Sequence, residues 1–417
     1  MNFRTMRRAS IVSIGNEILT GQTVDTNAAY LCEKLFSIGI PVVSSYTVGD
    51  EIERIVRALN SASDDAEIVL VTGGLGPTDD DLTRQGFARF LGSELQLQDE
   101  LLHKMQRFFG RRNLQMSEKN KVQAYLPTGT EALANELGTA PGIIAEMGEK
   151  LIFALPGVPS EMKAMFEESV LPKLRNIAAG QVIVVRKLRC FGAGESNIAQ
   201  MLGNLMQRGR NPLINCTASS GIITLHIIAS AGNNDKAQKM VEKEEKMLRE
   251  HLGDLVFGVD EQTLAEVVGR KLAREKKTIA TAESCTGGVL AKLLTNIPGA
   301  SEYFTQGWVT YSNAAKISEL GVQAELIDEF GAVSEQVACA MACGARKKAG
   351  TDFAIGITGI AGPTGATEHK PVGLVYICVE SDSASETKRF VFPRDRDSIR
   401  LRAAKTALNM IRLKLQN

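Results

Sequence analysis

The chain has 417 residues, and its 48 basic and 48 acidic side chains give a formal net charge of zero. Hydrophobic residues make up 44% and charged residues 23%, which is ordinary for a globular protein of two or three domains. The charge balance gives no support for a dedicated nucleic-acid or membrane-surface protein, because such proteins normally carry a basic excess. The apolar run at residues 11–14 is too short for a signal peptide, and no segment predicts a membrane helix.

The seven cysteines are scattered along the chain and often lie in apolar segments. An odd number of cysteines without a CxxC pair predicts reduced thiols and a cytoplasmic protein, not a disulfide framework. Cys339 and Cys343 fall in an alanine-rich helical stretch without a paired histidine, so the sequence does not favour a zinc site there.

Residues 9–171 alternate apolar, strand-like runs with amphipathic helical stretches. The predicted strands are 9–14, 41–47, 66–72 and 150–155, and the predicted helices are 27–38, 52–62 and 160–170. This β-α-β alternation predicts a three-layer α/β domain with parallel strands over residues 1–172. The connecting loops then meet at the carboxyl edge of the sheet, where such folds bind ligands.

Pro172 predicts the end of the helix before it, and the pattern then changes. Residues 173–257 predict a small α+β domain of the split β-α-β kind. Its strands are predicted at 182–190 and 221–229, and its helices at 196–206 and 235–251. Residues 258–417 predict a second three-layer α/β domain. Its strands are predicted at 278–281, 303–311, 353–358, 373–380 and 387–392, and its helices at 264–275, 288–294, 335–349 and 398–415.

The first candidate site is the loop TGGLGPTDDDLT at residues 72–83, which follows a predicted strand. Three glycines let its backbone approach a ligand closely, with N–H groups free to face an anion: Gly73, Gly74 and Gly76. Three consecutive carboxylates follow and suggest a divalent cation shared with substrate phosphates: Asp79, Asp80 and Asp81. The alternative is a glycine turn before an acidic helix start, and the spacing alone favours neither.

This loop resembles those of the molybdopterin-binding fold family, which carries a GGxGPT-type loop followed by an aspartate. By that resemblance Asp50 and Asp81 serve the ligand, and Thr78 and the loop glycines belong to a nucleotide site. Asp50 can equally cap the helix that follows it. The combination of GNEILTG, TGGLGPTDDDLT and LPGVPSEM resembles the competence/damage-inducible protein A (CinA) family over essentially the whole chain. That resemblance implies a homodimer with an ADP-ribose pyrophosphatase site in residues 1–172 that uses Mg²⁺, Mn²⁺ or Co²⁺.

The second candidate site is the stretch TAESCTGG at residues 281–288, a predicted strand-to-helix turn that holds Ser284 and Cys285. The N-terminus of the next helix offers free N–H groups for an oxyanion or a phosphate. A serine nucleophile also needs a base, and His369 is the one histidine placed to approach. Lys316 of VTYSNAAK is the alternative, because a lysine shielded from water loses its proton near neutral pH. The competing interpretations are a solvated helix lysine and, for Tyr311, a half-buried strand aromatic.

Two further segments complete this candidate site. Residues 356–373 form a glycine-rich loop that can wrap a phosphate or simply connect two strands. Arginines cluster at the start of the last helix, where cations are disfavoured, so they predict an anionic ligand or pairing with Asp395 and Asp397. The four are Arg394, Arg396, Arg400 and Arg402.

The motifs AESCTGG, YSNAAK, GITGIAGP and KPVGLVYI occur in order and resemble the nicotinamide mononucleotide (NMN) deamidase domain of the CinA family. The resemblance implies Ser284 as nucleophile, Lys316 as base and Tyr311 assisting, with Arg400 a candidate for the substrate phosphate. It also implies five residues lining the site: Cys285, Thr286, Gly287, Thr358 and Gly359. The implied reaction converts the amide of NMN to the acid and ammonia without a cofactor. A pyrophosphatase alone, or a non-enzymatic nucleotide- or pterin-binding module, are the alternatives.

Overall fold

The computed structural model describes residues 7–178 and 182–416. The chain divides into two compact units, one of residues 1–185 with 229–240 and the other of residues 186–228 with 241–417. Among the described residues, none of the helices has the length and apolar character that a bilayer crossing requires. All seven cysteines are free thiols, as expected.

Within its described residues the first unit contains eight complete strands, six in one sheet with helices on both faces and two, the fourth and fifth, in a small separate sheet. Its strands are β1 (Ala9–Ile14), β2 (Val42–Val48), β3 (Ile68–Thr72), β4 (Leu95–Leu97), β5 (Tyr125–Pro127), β6 (Glu131–Leu133), β7 (Gly142–Met147) and β8 (Lys150–Leu155). Its helices are α1 (Asn16–Leu19), α2 (Thr26–Ser37), α3 (Ile52–Asp65), α4 (Thr83–Leu91), α5 (Asp99–Gly110), α6 (Pro159–Met165) and α7 (Leu171–Ile177). The sheet order is β2-β1-β3-β8-β7-β6.

The central strands of this sheet are buried on both faces, which explains their near-continuous apolar sequences. Successive residues of a strand point to opposite faces, so β1 feeds two separate cores. Ile11 packs in one core with Leu31 of α2, and Val12 packs in the other with Leu59 of α3. This arrangement confirms the predicted three-layer α/β fold.

Two features of the first unit differ from the predictions. The four strands β2, β1, β3 and β8 are parallel, but β7 and β6 extend the sheet in antiparallel fashion. Pro172 does not end a helix, because α7 continues the helical path after a π-helical turn at Phe166–Val170. The proline lies in the first turn of α7, where a missing N–H removes little from the helix.

The middle of the chain folds as β9 (Val182–Phe191), α8 (Glu195–Leu202), β10 (Leu213–Ser219), β11 (Ile222–Ala231), α9 (Asn234–Leu252) and β12 (Val256–Val259). The sheet order is β10-β11-β9-β12, with antiparallel pairing of β10 to β11 and of β12 to β9. This is the split β-α-β arrangement that the sequence predicts. Both edge strands were missed: β10 has four exposed residues of seven and β12 has only four residues, so neither has a clear strand pattern.

The C-terminal part contains a second α/β sheet. Its helices are α10 (Leu264–Glu275), α11 (Val289–Thr295), α12 (Asn313–Leu320), α13 (Ala324–Phe330), α14 (Glu335–Ala349) and α15 (Arg396–Lys414). Its strands are β13 (Ile279–Glu283), β14 (Phe304–Val309), β15 (Phe353–Gly359), β16 (Leu374–Ser381) and β17 (Ser385–Val391). The sheet order is β14-β13-β15-β16-β17, and the first three strands are parallel.

Strand β13 again feeds a core on each face of its sheet. Ile279 packs with Leu408 of α15 on one side, and Ala280 packs with Met341 of α14 on the other. Because β14, β13 and β15 are parallel, their carboxyl ends meet at one edge of the sheet. The segments that follow Glu283, Val309 and Gly359 therefore lie together there.

Candidate active site

The serine of the AESCTGG motif directly follows β13. Ser284 donates its backbone N–H to Ile357 O at 2.9 Å and is 8% exposed. The chain then turns through Gly287 and Gly288, whose φ angles of 58° and 91° favour glycine, and enters α11. The strand-to-helix turn predicted from the sequence is therefore present.

The carboxylate of Glu283 occupies the N-terminus of α11. It is fully buried and accepts hydrogen bonds from the N–H groups of Gly288 and Leu290, both at 3.0 Å, and of Ala291 at 2.8 Å. The expectation that these helix N–H groups are free for an oxyanion is wrong, because an internal carboxylate already satisfies them.

The turn itself retains other donors. Gly287 donates its N–H to Ser284 O at 3.1 Å. The N–H groups of Cys285 and Thr286 have no acceptor within the described residues. These two N–H groups adjoin the serine, in residues that are buried (Cys285 5% and Thr286 0% exposed).

Lys316 is buried beside the serine. Ser312 caps α12 by accepting the N–H of Ala315 at 3.1 Å, and Lys316 follows in the first turn with 1% exposure. Its Nζ donates to Ser284 Oγ at 3.1 Å and to Thr310 O at 2.9 Å. Burial lowers the pKa of Lys316 from its ordinary 10.5, because water no longer solvates the ammonium. The solvated-lysine interpretation is wrong.

The other candidate groups have different environments. Burial raises the pKa of the Cys285 thiol to about 12, so this thiol is protonated at neutral pH and is a poor nucleophile. His369 lies exposed in the glycine-rich loop. Of the candidate groups, Lys316 is the one in hydrogen-bond contact with the Ser284 hydroxyl.

Tyr311 and Arg396 lie together at the surface of the site. Tyr311 is 61% exposed, so it is not a half-buried strand aromatic, and its hydroxyl accepts a hydrogen bond from Arg396 Nη2 at 2.7 Å. Arg396 Nη1 also donates to Gly362 O at 2.6 Å, which joins the glycine-rich loop to the start of α15. The sequence offered one signal for Arg396, an arginine at a helix N-terminus, but did not distinguish it from its three neighbours.

Arg400 holds the serine turn. Its Nε and Nη2 donate to Thr286 O at 3.1 Å and 2.9 Å, and its Nη1 lies 3.6 Å from Asp397 Oδ1. These contacts tie Arg400 to the serine turn, and its role as a phosphate ligand stays a prediction.

Thr358 and Gly359 shape the end of β15. The buried Thr358 hydroxyl donates to Ala332 O at 2.7 Å. A Cβ on Gly359 would lie 2.6 Å from Leu374 O, so only glycine allows β16 to approach this closely. Both residues position the following loop, and the Thr358 hydroxyl is not directed at Ser284.

The N-terminal loop residues line a cavity of about 380 Å³ at the carboxyl edge of the first sheet. Asp81 closes the loop on itself, because its carboxylate accepts the N–H of Gly76 and of Thr78, both at 2.8 Å, and the Thr78 hydroxyl. Asp79 lies outside the cavity, with a side chain 94% exposed and 3.5 Å from Lys119 Nζ. Four other residues of the predicted site line the cavity: Asp50, Gly73, Gly74 and Asp80.

The lining of this cavity has the donor chemistry of a divalent-cation site, although among the described residues no three of its carboxylates have oxygens within 4.8 Å of one another. Its described lining contains five carboxylates and no lysine or arginine: Glu17, Asp50, Asp80, Asp81 and Glu161. Asp50 accepts the N–H of Asn16 at 2.9 Å and does not cap α3. Burial, together with Glu17, Asp80 and Asp81, raises the pKa of Asp50. Carboxylate oxygens are the ligands that Mg²⁺ and Mn²⁺ prefer. Glu17, Asp50 and Asp80 suit this role better than the three consecutive aspartates.

Three family models match the chain in succession. The probable molybdopterin binding domain matches residues 10–176, the damage-inducible protein CinA KH domain matches residues 185–258, and the CinA C-terminal domain matches residues 261–415.

Curated relatives match over nearly the full length. A putative competence-damage inducible protein from Clostridium perfringens is 44% identical over 98% of this chain and 99% of its own length. A CinA-like protein from Kosmotoga olearia is 42% identical over 97% and 98%, respectively. Among solved structures, the protein CinA from Thermoplasma acidophilum is 35% identical, covering 40% of this chain and 98% of that one with a TM-score of 0.38.

Proposed function

This chain belongs to the CinA family, and we propose that its C-terminal domain hydrolyses the carboxamide of NMN to nicotinate mononucleotide and ammonia. The observation that carries the proposal is the contact of 3.1 Å between Lys316 Nζ and Ser284 Oγ. A buried lysine whose pKa is lowered can act as the base for a serine nucleophile without a histidine.

In the proposed reaction, neutral Lys316 accepts the hydroxyl proton while Ser284 Oγ bonds to the carboxamide carbon. The N–H groups of Cys285 and Thr286 stabilise the oxyanion. The C–N bond then breaks, and Lys316 returns the proton to the departing nitrogen so that ammonia leaves. Water attacks the acyl-enzyme with the same lysine as base, releases the carboxylic acid and restores the serine. The carbonyl of Thr310, 2.9 Å from Nζ, keeps the amine directed at the hydroxyl.

The surroundings of the pair suit a phosphorylated substrate. Arg396 places a guanidinium beside the exposed Tyr311 hydroxyl and the glycine-rich loop. A guanidinium forms strong charge-assisted hydrogen bonds with phosphate. We therefore assign the phosphate of NMN to Arg396 and give Arg400 a positioning role, through Thr286.

The direct test is ammonia release from NMN by the purified full-length protein. Ser284→Ala should abolish release with an unchanged circular dichroism spectrum, and Cys285→Ala should retain it. Nicotinamide riboside, which lacks the phosphate, should be a poorer substrate for the wild-type protein. Folded wild-type protein that releases no ammonia from NMN contradicts the proposal.

We further propose a metal-dependent ADP-ribose pyrophosphatase site in the N-terminal domain. The observation that favours it is the cavity lined by carboxylates without a basic side chain, which can admit a pyrophosphate only together with a cation. Glu17, Asp50 and Asp80 would hold the metal, which supplies Lewis-acid polarisation of a phosphoryl oxygen. The glycine loop would face the phosphates with its backbone N–H groups.

This second activity can be measured separately in the Ser284→Ala protein. Hydrolysis of ADP-ribose should require added Mg²⁺, Mn²⁺ or Co²⁺ and stop on addition of EDTA. Equal rates with and without metal would contradict the proposal.

A further inference from the structure

A second cavity, of about 270 Å³, lies in the unit formed by residues 186–228 and 241–417. It is bounded by β9, β10 and β11 and by α15. Basic side chains from three of these elements enter its lining: Lys187, Arg189, His226 and Lys405. No carboxylate is part of its described lining. It shares no residue with the serine site or with the N-terminal cavity.

Lys405 itself has no acidic partner among the described residues. Its Nζ donates to Ser220 O at 3.1 Å and makes no ion pair within the described residues. Burial and the proximity of Arg189 and Arg402 lower the pKa of Lys405. Arg402, on the same helix, packs over Gly221, with Cζ 3.5 Å from the position that a Cβ there would occupy. Three cations thus lie close enough to repel one another.

Arg189 supplies an independent indication of a missing partner. Its Nε is buried and has no hydrogen-bond acceptor among the described residues. A buried donor without an acceptor is costly, and such groups in native proteins usually meet a water or a ligand. An acceptor inside the cavity would satisfy it.

The other described groups of the cavity do not supply an acceptor for Arg189 Nε. Glu261 pairs with Lys187 at 2.7 Å and lies close enough to Arg189 and His226 for them to lower its pKa, but it does not line the cavity. His226 Nε2 lies 3.1 Å from the Thr217 hydroxyl on the facing strand, so the wall also offers hydroxyl groups. The cavity therefore combines guanidinium, ammonium and hydroxyl donors without an internal anion.

We infer that this cavity binds the phosphate group of a small phosphorylated metabolite. A phosphate dianion offers several acceptor oxygens and can meet Arg189 and Lys405 at once. Its charge would offset the mutual repulsion of Arg189, Arg402 and Lys405. The volume leaves room for the phosphate and part of an attached sugar, but not for a dinucleotide.

The test is thermal unfolding of the full-length protein with sodium phosphate or ribose 5-phosphate, against sodium chloride at matched ionic strength. Both phosphates should raise the melting temperature beyond the effect of chloride, in a saturable manner, because a ligand of the native state stabilises it. A stronger effect of ribose 5-phosphate identifies a phosphorylated metabolite, and equal effects identify free phosphate. An effect no larger than that of chloride overturns the inference.

Variants localise the effect. Lys405→Met and Arg189→Met should each weaken binding of ribose 5-phosphate in isothermal titration by about tenfold or more, because each removes a charged hydrogen bond. Lys347→Met changes the same charge at an exposed position of α14 and should bind as the wild type does. Without ligand, Lys405→Met should melt no lower than the wild type, because it relieves repulsion.

Two results would overturn the inference at this stage. One is unchanged phosphate binding in both pocket variants, which would place the bound phosphate elsewhere. The other is a single-stranded oligonucleotide that binds more tightly than ribose 5-phosphate and loses that binding in Lys405→Met, which would identify nucleic acid as the ligand.

Discussion

Arg400 and Thr286 are joined by two hydrogen bonds, from Nε at 3.1 Å and Nη2 at 2.9 Å, to a single carbonyl oxygen. The last helix thereby holds the turn between β13 and α11. Ser284 and the N–H groups of Cys285 and Thr286 belong to that same turn. The Arg400 guanidinium therefore fixes the conformation of this turn, although Arg400 is not part of the turn.

Replacing Arg400 with lysine tests whether this residue positions the serine turn or binds the phosphate of NMN. Lysine keeps the charge but lacks the planar fork that binds one oxygen twice. We expect kcat for NMN to fall about 10- to 100-fold, because small misplacements of reacting groups have effects of this size, while KM changes little. A large rise in KM for NMN, absent for nicotinamide riboside, would instead make Arg400 the phosphate ligand. Arg394→Lys, at an exposed position nearby, is the matched control.

Replacing Lys316 should remove the pH dependence of kcat/KM that its amine causes. Lys316→Met should lower kcat at least about 10²-fold, within the range that general bases contribute. In the wild type, kcat/KM should rise with pH as the lysine loses its proton and level off above its lowered pKa. Lys316→Arg remains protonated and should be inactive throughout. A rising limb that persists in Lys316→Met would assign it to another group.

The same lysine should make stability depend on pH. The folded pKa lies below the unfolded value, so between the two the unfolded chain binds more protons and stability rises with pH. Lys316→Met should therefore stabilise the domain most below the folded pKa, and this gain should vanish above about 10.5. Trp308 on β14 is the sole tryptophan and reports on this domain during urea unfolding. A gain that is equal at every pH would argue against a buried ammonium.

Glu283 should matter for stability more than an exposed acid does. Glu283→Gln replaces a carboxylate that accepts three backbone N–H groups with an amide that has one acceptor oxygen. We expect a loss of about 1–3 kcal/mol in the unfolding transition that Trp308 reports. Glu325→Gln, an exposed change on α13, should stay within about 0.5 kcal/mol of the wild type. Equal losses in the two variants would contradict the buried cap.

The N-terminal metal set can be tested with two aspartates. Asp50→Asn should reduce Mn²⁺ affinity in isothermal titration, and metal-dependent ADP-ribose hydrolysis, by about 10- to 100-fold. Asp79→Asn should leave both unchanged, because Asp79 is exposed and lies near Lys119. Should Asp79→Asn prove as damaging as Asp50→Asn, the ligand set would be the three consecutive aspartates.

Regular periodicity made the main sheets predictable. Strands such as β1 and β3 are continuous apolar runs, and α3 carries a clear apolar stripe. The strands that escaped prediction are the three-residue strands β4, β5 and β6, the antiparallel strand β7, the exposed edge strand β10 and the four-residue strand β12. Such segments acquire strand structure from their neighbours, so their own sequences contain little signal.

In the candidate active site too, local sequence predicted the positions of the loops, but the contacts between their side chains depend on the fold. The loops of Ser284 and Lys316 could be placed at one sheet edge from the parallel strand order, but the contact between them depends on burial of the amine. Arg396 and Arg400 lie four residues apart on one helix face, so spacing alone could not assign their separate partners. Glu283 reads as an ordinary strand end, and its capping role appears only once α11 is in place.

The protonated state of Cys285 bears on how the site can be inhibited. Maleimides and iodoacetamide react with thiolates, and a thiol with a pKa of about 12 presents almost none at neutral pH. We therefore expect alkylating agents to spare this position, even though it adjoins the nucleophile. Electrophiles selective for activated hydroxyls, such as fluorophosphonates and boronic acids, are the covalent probes suited to the proposed Ser284 nucleophile.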